Sequence, residues 1–139
     1  MIRAVADEGL PFSQLDYLYI PSADVAADAK YFTEVLGGTL LFAIDDGGTR
    51  AAMVALTDAP PRLIFTSHLE GERPIMIYRV PKLRDALKTL AAQGWEKEST
   101  FEIPQGPCCS FVSPAGHRVA LYQLTRPGVE EHFVGRFDF

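Results

Sequence analysis

The chain has 139 residues, 47% hydrophobic and 22% charged, with a formal net charge of −5. That balance describes one ordinary globular domain, or two very small fused modules, and excludes intrinsic disorder. It also argues against general nucleic-acid binding, which needs a clustered basic surface, and no run of about 18 apolar residues offers a membrane span.

Residues 15–20 are aromatic and branched and predict a strand, ended by Pro21. Ser22 is the expected N-cap of a helix whose apolar positions are Val25, Ala29, Phe32, Val35 and Leu36, stopped by Gly37 and Gly38. Strands follow over 39–44 and 50–56, joined by the hairpin signal Asp45, Asp46, Gly47, Gly48, with a fourth strand over 62–67. Residues 68–74 are polar and read as a linker. The order then recurs: a strand over 75–80, a helix opened by Pro81 and closed by Gly94, and strands over 96–103, 108–112 and 118–124.

Shifting the first half by about 58 positions places Tyr17 on Ile75, Tyr19 on Ile77, Val25 on Leu83 and Phe32 on Leu90. The fold class expected is therefore α+β: two β-α-β-β-β modules forming curved mixed sheets around a cleft. Module one spans about 13–69 and module two about 73–124. A tail over 125–139 carries Phe133, Phe137 and Phe139, too apolar to be wholly solvated.

Met1 to Glu8 contain no apolar signal-peptide core, and neighbouring Cys108 and Cys109 would point to opposite faces of a strand rather than bond to each other. Both features suit a reducing cytoplasm. No Walker loop, G-x-G-x-x-G, C-x-x-C or H-E-x-x-H occurs. No cation or His adjoins the cysteines in sequence, so they read as small apolar fillers rather than nucleophiles. His68 with Glu70, and the cluster Glu130, Glu131 and His132, read as surface groups; His117 reads as a polar turn residue.

The run Leu15, Asp16, Tyr17, Leu18, followed by Asp24, Tyr31, Phe32 and Val35 to Gly38, resembles the opening module of the vicinal oxygen chelate superfamily. That group includes glyoxalase I, extradiol dioxygenases, and fosfomycin and bleomycin resistance proteins. Ser113 to Tyr122 resembles its closing "D-P-x-G-x-x-x-E-L" strand, so the resemblance covers roughly residues 13–124. It implies paired modules, commonly a homodimer, and in the enzymes a divalent metal held by His and Glu. Those metal positions fall on Tyr17, Ile75, Ala120 and one of Leu63, Ile64 and Phe65, which argues against metal chemistry.

The expected function is thus metal-independent binding of a small organic molecule, with sequestration of an aromatic or apolar compound as the model. The alternative is a lyase or dioxygenase of the same superfamily with an atypical metal site. No cofactor or catalytic residue is assigned. The resemblance implies that Tyr17, Ile75 and Ala120 point into the cleft, and period-two alternation adds Tyr19, Ile77, Arg79 and Tyr122 as ligand-binding positions, with core packing as the plainer role of the apolar ones. A homodimer without nucleic-acid or membrane partners completes the expectation.

Overall fold

A computed structural model describes residues 12–139; the expectation about the first eight residues lies outside them. The first half runs β1 (Gln14–Pro21), α1 (Val25–Lys30), a π-helical turn (Tyr31–Val35), β2 (Thr39–Asp46), β3 (Thr49–Ala55) and β4 (Arg62–Thr66). The second runs β5 (Ile75–Val80), α2 (Leu83–Ala92), β6 (Ser99–Ile103), β7 (Gly106–Val112) and β8 (Arg118–Gln123), and a 3-10 turn (Val129–His132) lies in the tail.

The eight strands make one sheet, in the order β2-β3-β4-β1-β5-β8-β7-β6. Each half repeats one plan: an outer hairpin leads to a last strand that runs parallel to the first. The halves meet where β1 pairs antiparallel with β5. The α+β class and the doubled β-α-β-β-β order are as expected, and the helix caps Asp24 and Lys82 stand 58 positions apart.

Strand alternation sorts the apolar side chains onto two faces. On one face, α1 packs with Ala52, Val54 and Phe65, and α2 with Val80, Cys109 and Leu121. The other face gathers Tyr17, Phe42, Met53, Ile64, Ile75, Ile77, Cys108, Ala120 and Tyr122. The tail covers part of that second face. Its backbone joins the edge of β2 through Ala43 N to Arg136 O at 2.9 Å and Gly135 N to Leu41 O at 2.8 Å.

Several local expectations need correction. Asp24, not Ser22, caps α1: its carboxylate accepts from Ala27 N at 3.0 Å, while the Ser22 hydroxyl turns to Asp28. The first helix does not stay α-helical to Leu36. Residues 31–35 widen to i→i+5 bonding, which turns the chain less per residue and leaves Val35 65% and Leu36 49% exposed. Pro81 stands before the second helix rather than in its first turn. Lys82 is still extended there, and the first free amide, Leu83 N, is capped from β8 by Gln123 Oε1 at 2.9 Å. β6 starts at Ser99 rather than 96, and β7 reaches back to Gly106. Among the described residues no helix is long and apolar enough to cross a membrane.

Candidate functional site

β1 supplies the centre of the site. Its register against β5 slips between Leu15 and Tyr17, leaving Asp16 as the extra residue of a bulge. The bulge turns the Asp16 carboxylate toward the face that carries Tyr17 and Tyr122. A buried carboxylate needs compensating donors. Asp16, 6% exposed, has three: the Tyr122 hydroxyl donates to Oδ2, Gln14 Nε2 donates to Oδ1, and Arg79 Nε lies 3.4 Å from Oδ2. Arg79 is opposite both groups by register, pairing with Gln14 on β1 and with Tyr122 on β8.

Tyr17 follows Asp16 on β1, opposite Arg62 on β4 and Ile77 on β5. Its hydroxyl donates to Glu130 of the tail, and Gln105 Nε2 reaches Tyr17 Oη at 3.4 Å and Glu130 Oε1 at 3.5 Å. Gln105 is held by a tight fold of the chain. Its carbonyl accepts from Thr125 N and Arg126 N, and a Cβ on neighbouring Gly106 would fall 1.9 Å from Gln123 O. Gln105 Oε1 is buried with no hydrogen-bond partner among the described residues.

Burial raises the Tyr17 hydroxyl far above the ordinary tyrosine range, and the Glu130 carboxylate beside it adds to the effect. Tyr122 is raised by burial and by its bond to Asp16, and Tyr19 chiefly by burial. All three stay neutral hydroxyls at physiological pH and can donate.

Two cavities meet at Gln105 and Glu130. A polar one of about 310 Å³ is bounded by Asp16, Tyr17, Arg62, Arg79, Tyr122 and Arg126. An apolar one of about 190 Å³ is bounded by Tyr19, Phe42, Ile44, Ala51, Ile64 and Phe133, with Thr66 and His68 at one side. An apolar lining is therefore found in one chamber only, and the other carries three guanidinium groups and two carboxylates.

The positions nominated from sequence share a face, but they divide by role. Tyr17, Arg79 and Tyr122 line the polar chamber and Tyr19 lines the apolar one. Ile75, Ile77 and Ala120 are packed in the core behind them and line neither chamber. Sequence reading passed over Asp16, Arg62, Gln105 and Glu130. Asp16 was marked by being a lone charge within an aromatic strand; Glu130 was read as a surface group, and the tail turns it inward.

The four positions at which the resemblance implies metal ligands do not fit a divalent ion. Ile75, Ala120 and the trio Leu63, Ile64 and Phe65 offer no donor, and the Tyr17 hydroxyl is spent on Glu130. Among the described residues no group of three or more His, Cys, Asp or Glu side chains could hold an ion.

No family model matches the chain, and no curated protein matches it significantly. Solved structures do resemble it. A methylmalonyl-CoA epimerase from Mycobacterium tuberculosis is 17% identical with TM-score 0.71, covering 88% of this chain and 95% of that one. A hypothetical protein from Bacillus halodurans is 11% identical with TM-score 0.67, covering 79% and 93%. A Streptomyces coelicolor methylmalonyl-CoA epimerase variant in complex with 2-nitronate-propionyl-CoA is 13% identical with TM-score 0.66, covering 83% and 96%. The likeness is one of fold.

Cys108 and Cys109 point to opposite faces, and neither is exposed. Burial pushes the Cys108 thiol up to about 12 and raises Cys109 as well. Neither thiol is poised for nucleophilic work. A disulfide reagent at pH 8 should modify neither in the folded protein and both after denaturation; rapid labelling without denaturant would contradict this. Because the folded thiol holds its proton above the unfolded pKa, Cys108 stabilises the fold below about pH 8.5, and that contribution is lost as pH climbs toward 12.

Proposed function

We propose that this chain is a metal-independent small-molecule-binding protein of the vicinal oxygen chelate type, holding a flat apolar compound between Phe42, Ile64 and Gln105. The observation that carries this reading is the apolar chamber of about 190 Å³, lined in part by Gln105, whose buried Oε1 has no partner among the described residues. An unsatisfied buried acceptor costs about 1–3 kcal/mol, and a ligand that donates to it recovers that cost. The shape favours an aromatic body bearing one polar donor. The fold likeness supports the reading, since one solved epimerase of this fold holds methylmalonyl-CoA. The lyase or dioxygenase alternative depends on donors that the metal positions lack.

The same reading includes a homodimer in a reducing cytoplasm. Tyr31, Val35 and Leu36 on the π-helical turn are exposed apolar residues, and Leu56 lies beside Gly38 at the end of that turn. They form the surface best suited to a second copy. Sedimentation should give a dimer at micromolar concentration, and Val35→Glu should shift it to monomer; a monomer for the unaltered chain would contradict the assembly.

The binding claim is tested with 2-naphthamide, which has a flat ring and an amide donor. Calorimetric titration should show saturable binding. Ala51→Trp, which fills the chamber from β3, should weaken it at least about tenfold in a protein whose circular dichroism is unchanged. Undiminished binding by the folded variant would place the ligand elsewhere.

A further inference from the structure

We propose that the site recognises the carboxylate of an aromatic monocarboxylic acid, and that the tail's Glu130 and Phe133 occupy it as an internal stand-in. This deepens the reading above and rests on it. In the 3-10 turn, Phe133 N bonds Glu130 O at 2.9 Å, closing an i→i+3 ring. Side chains three apart eclipse in this geometry, so the turn presents a carboxylate and a phenyl ring from one face. The ring rests 6.0 Å from that of Phe42, and both residues border the apolar chamber. The carboxylate takes the hydroxyl of Tyr17 and the amide of Gln105. One turn of the tail thus brings to the chamber's wall the two groups that an aryl carboxylate carries.

The surroundings suit an anion. Arg62 and Arg79 reach the polar chamber from the strands on either side of β1, and Arg126 enters from the tail. Three guanidinium groups face two carboxylates there, in a chain whose net charge is −5. Withdrawing Glu130 leaves Asp16 as the sole carboxylate of that lining, and an incoming carboxylate restores the balance. Tyr17 remains a donor, because its burial keeps the proton on.

The stand-in is also free to leave. Between its anchors the tail's backbone bonds are its own: Val129 N to Arg126 O, Glu131 N to Gly128 O, and Val134 N to Glu130 O. Arg126 ties one end to Glu102 and to the carbonyls of Ile103 and Pro104, and Gly135 to Asp138 tie the other to β2. Among the described residues only side chains hold the middle to the sheet, so it can lift without breaking a strand ladder.

The test compares 2-naphthoate with the neutral 2-naphthamide by calorimetry, on the unaltered protein, Glu130→Ala and Glu130→Gln. Removing the internal carboxylate should tighten 2-naphthoate about tenfold, in keeping with loss of a charged competitor, with a clearly smaller gain for the amide. Adding Tyr17→Phe to Glu130→Ala should abolish most of that gain. If 2-naphthamide binds but neither Glu130 variant tightens 2-naphthoate, or both compounds gain equally, this inference is overturned and the binding reading stands. If neither compound binds any folded form, both fall together.

Discussion

The antiparallel ladder between β1 and β5 joins two four-stranded halves that would otherwise each expose an unpaired edge. Because those strands lie at the centre of the sheet, a lateral row runs without a break from Arg62 through Tyr17, Ile77 and Ala120 to Ser110. Arg79 and Tyr122 stand two rows along, on the same face. The two halves therefore build one face rather than two. The bulge at Asp16 sits in this ladder, and it brings a carboxylate onto the face of Tyr17 and Tyr122, where strict alternation would have turned it away.

That carboxylate sets the electrostatics of the polar chamber. It holds Arg79 and Tyr122 in place, and Tyr122 packs at 6.0 Å against Tyr17, whose hydroxyl meets the tail. Hydrogen bonds among buried groups are strong, and leaving one unmade is costly. Among the described residues the one buried side-chain acceptor left over is Oε1 of Gln105, a residue that lines both chambers. The backbone of Gln105 is held in place: neighbouring Gly106 leaves no room for a side chain, and the Gln105 carbonyl accepts from two amides.

The fold was legible because hydrophobic period and turn chemistry agree along most of the chain. Gly37, Gly94 and Gly116 all take positive φ where the reading placed helix ends or turns. The face shared by Tyr17, Tyr19, Ile77, Ala120 and Tyr122 followed from alternation within each strand, anchored by the positions that the family resemblance turns inward. Asp16 could not be assigned that way, since a bulge defeats a strict period of two. Glu130 was hidden for a different reason: its partners lie 113 and 25 residues away, so only tertiary docking of the tail turns it inward. The cap supplied to α2 by Gln123 is equally non-local, which is why Pro81 looked like the helix start.

The central claim is that the space beneath the tail, between Phe42 and Gln105, is where a small aromatic compound binds. A crystal structure of the protein grown with 2-naphthamide addresses it directly. The account predicts the ring against Phe42 and Ile64, with the amide nitrogen donating to Gln105 Oε1. Ordered ligand outside this chamber, with the chamber itself closed by its own side chains, would contradict it.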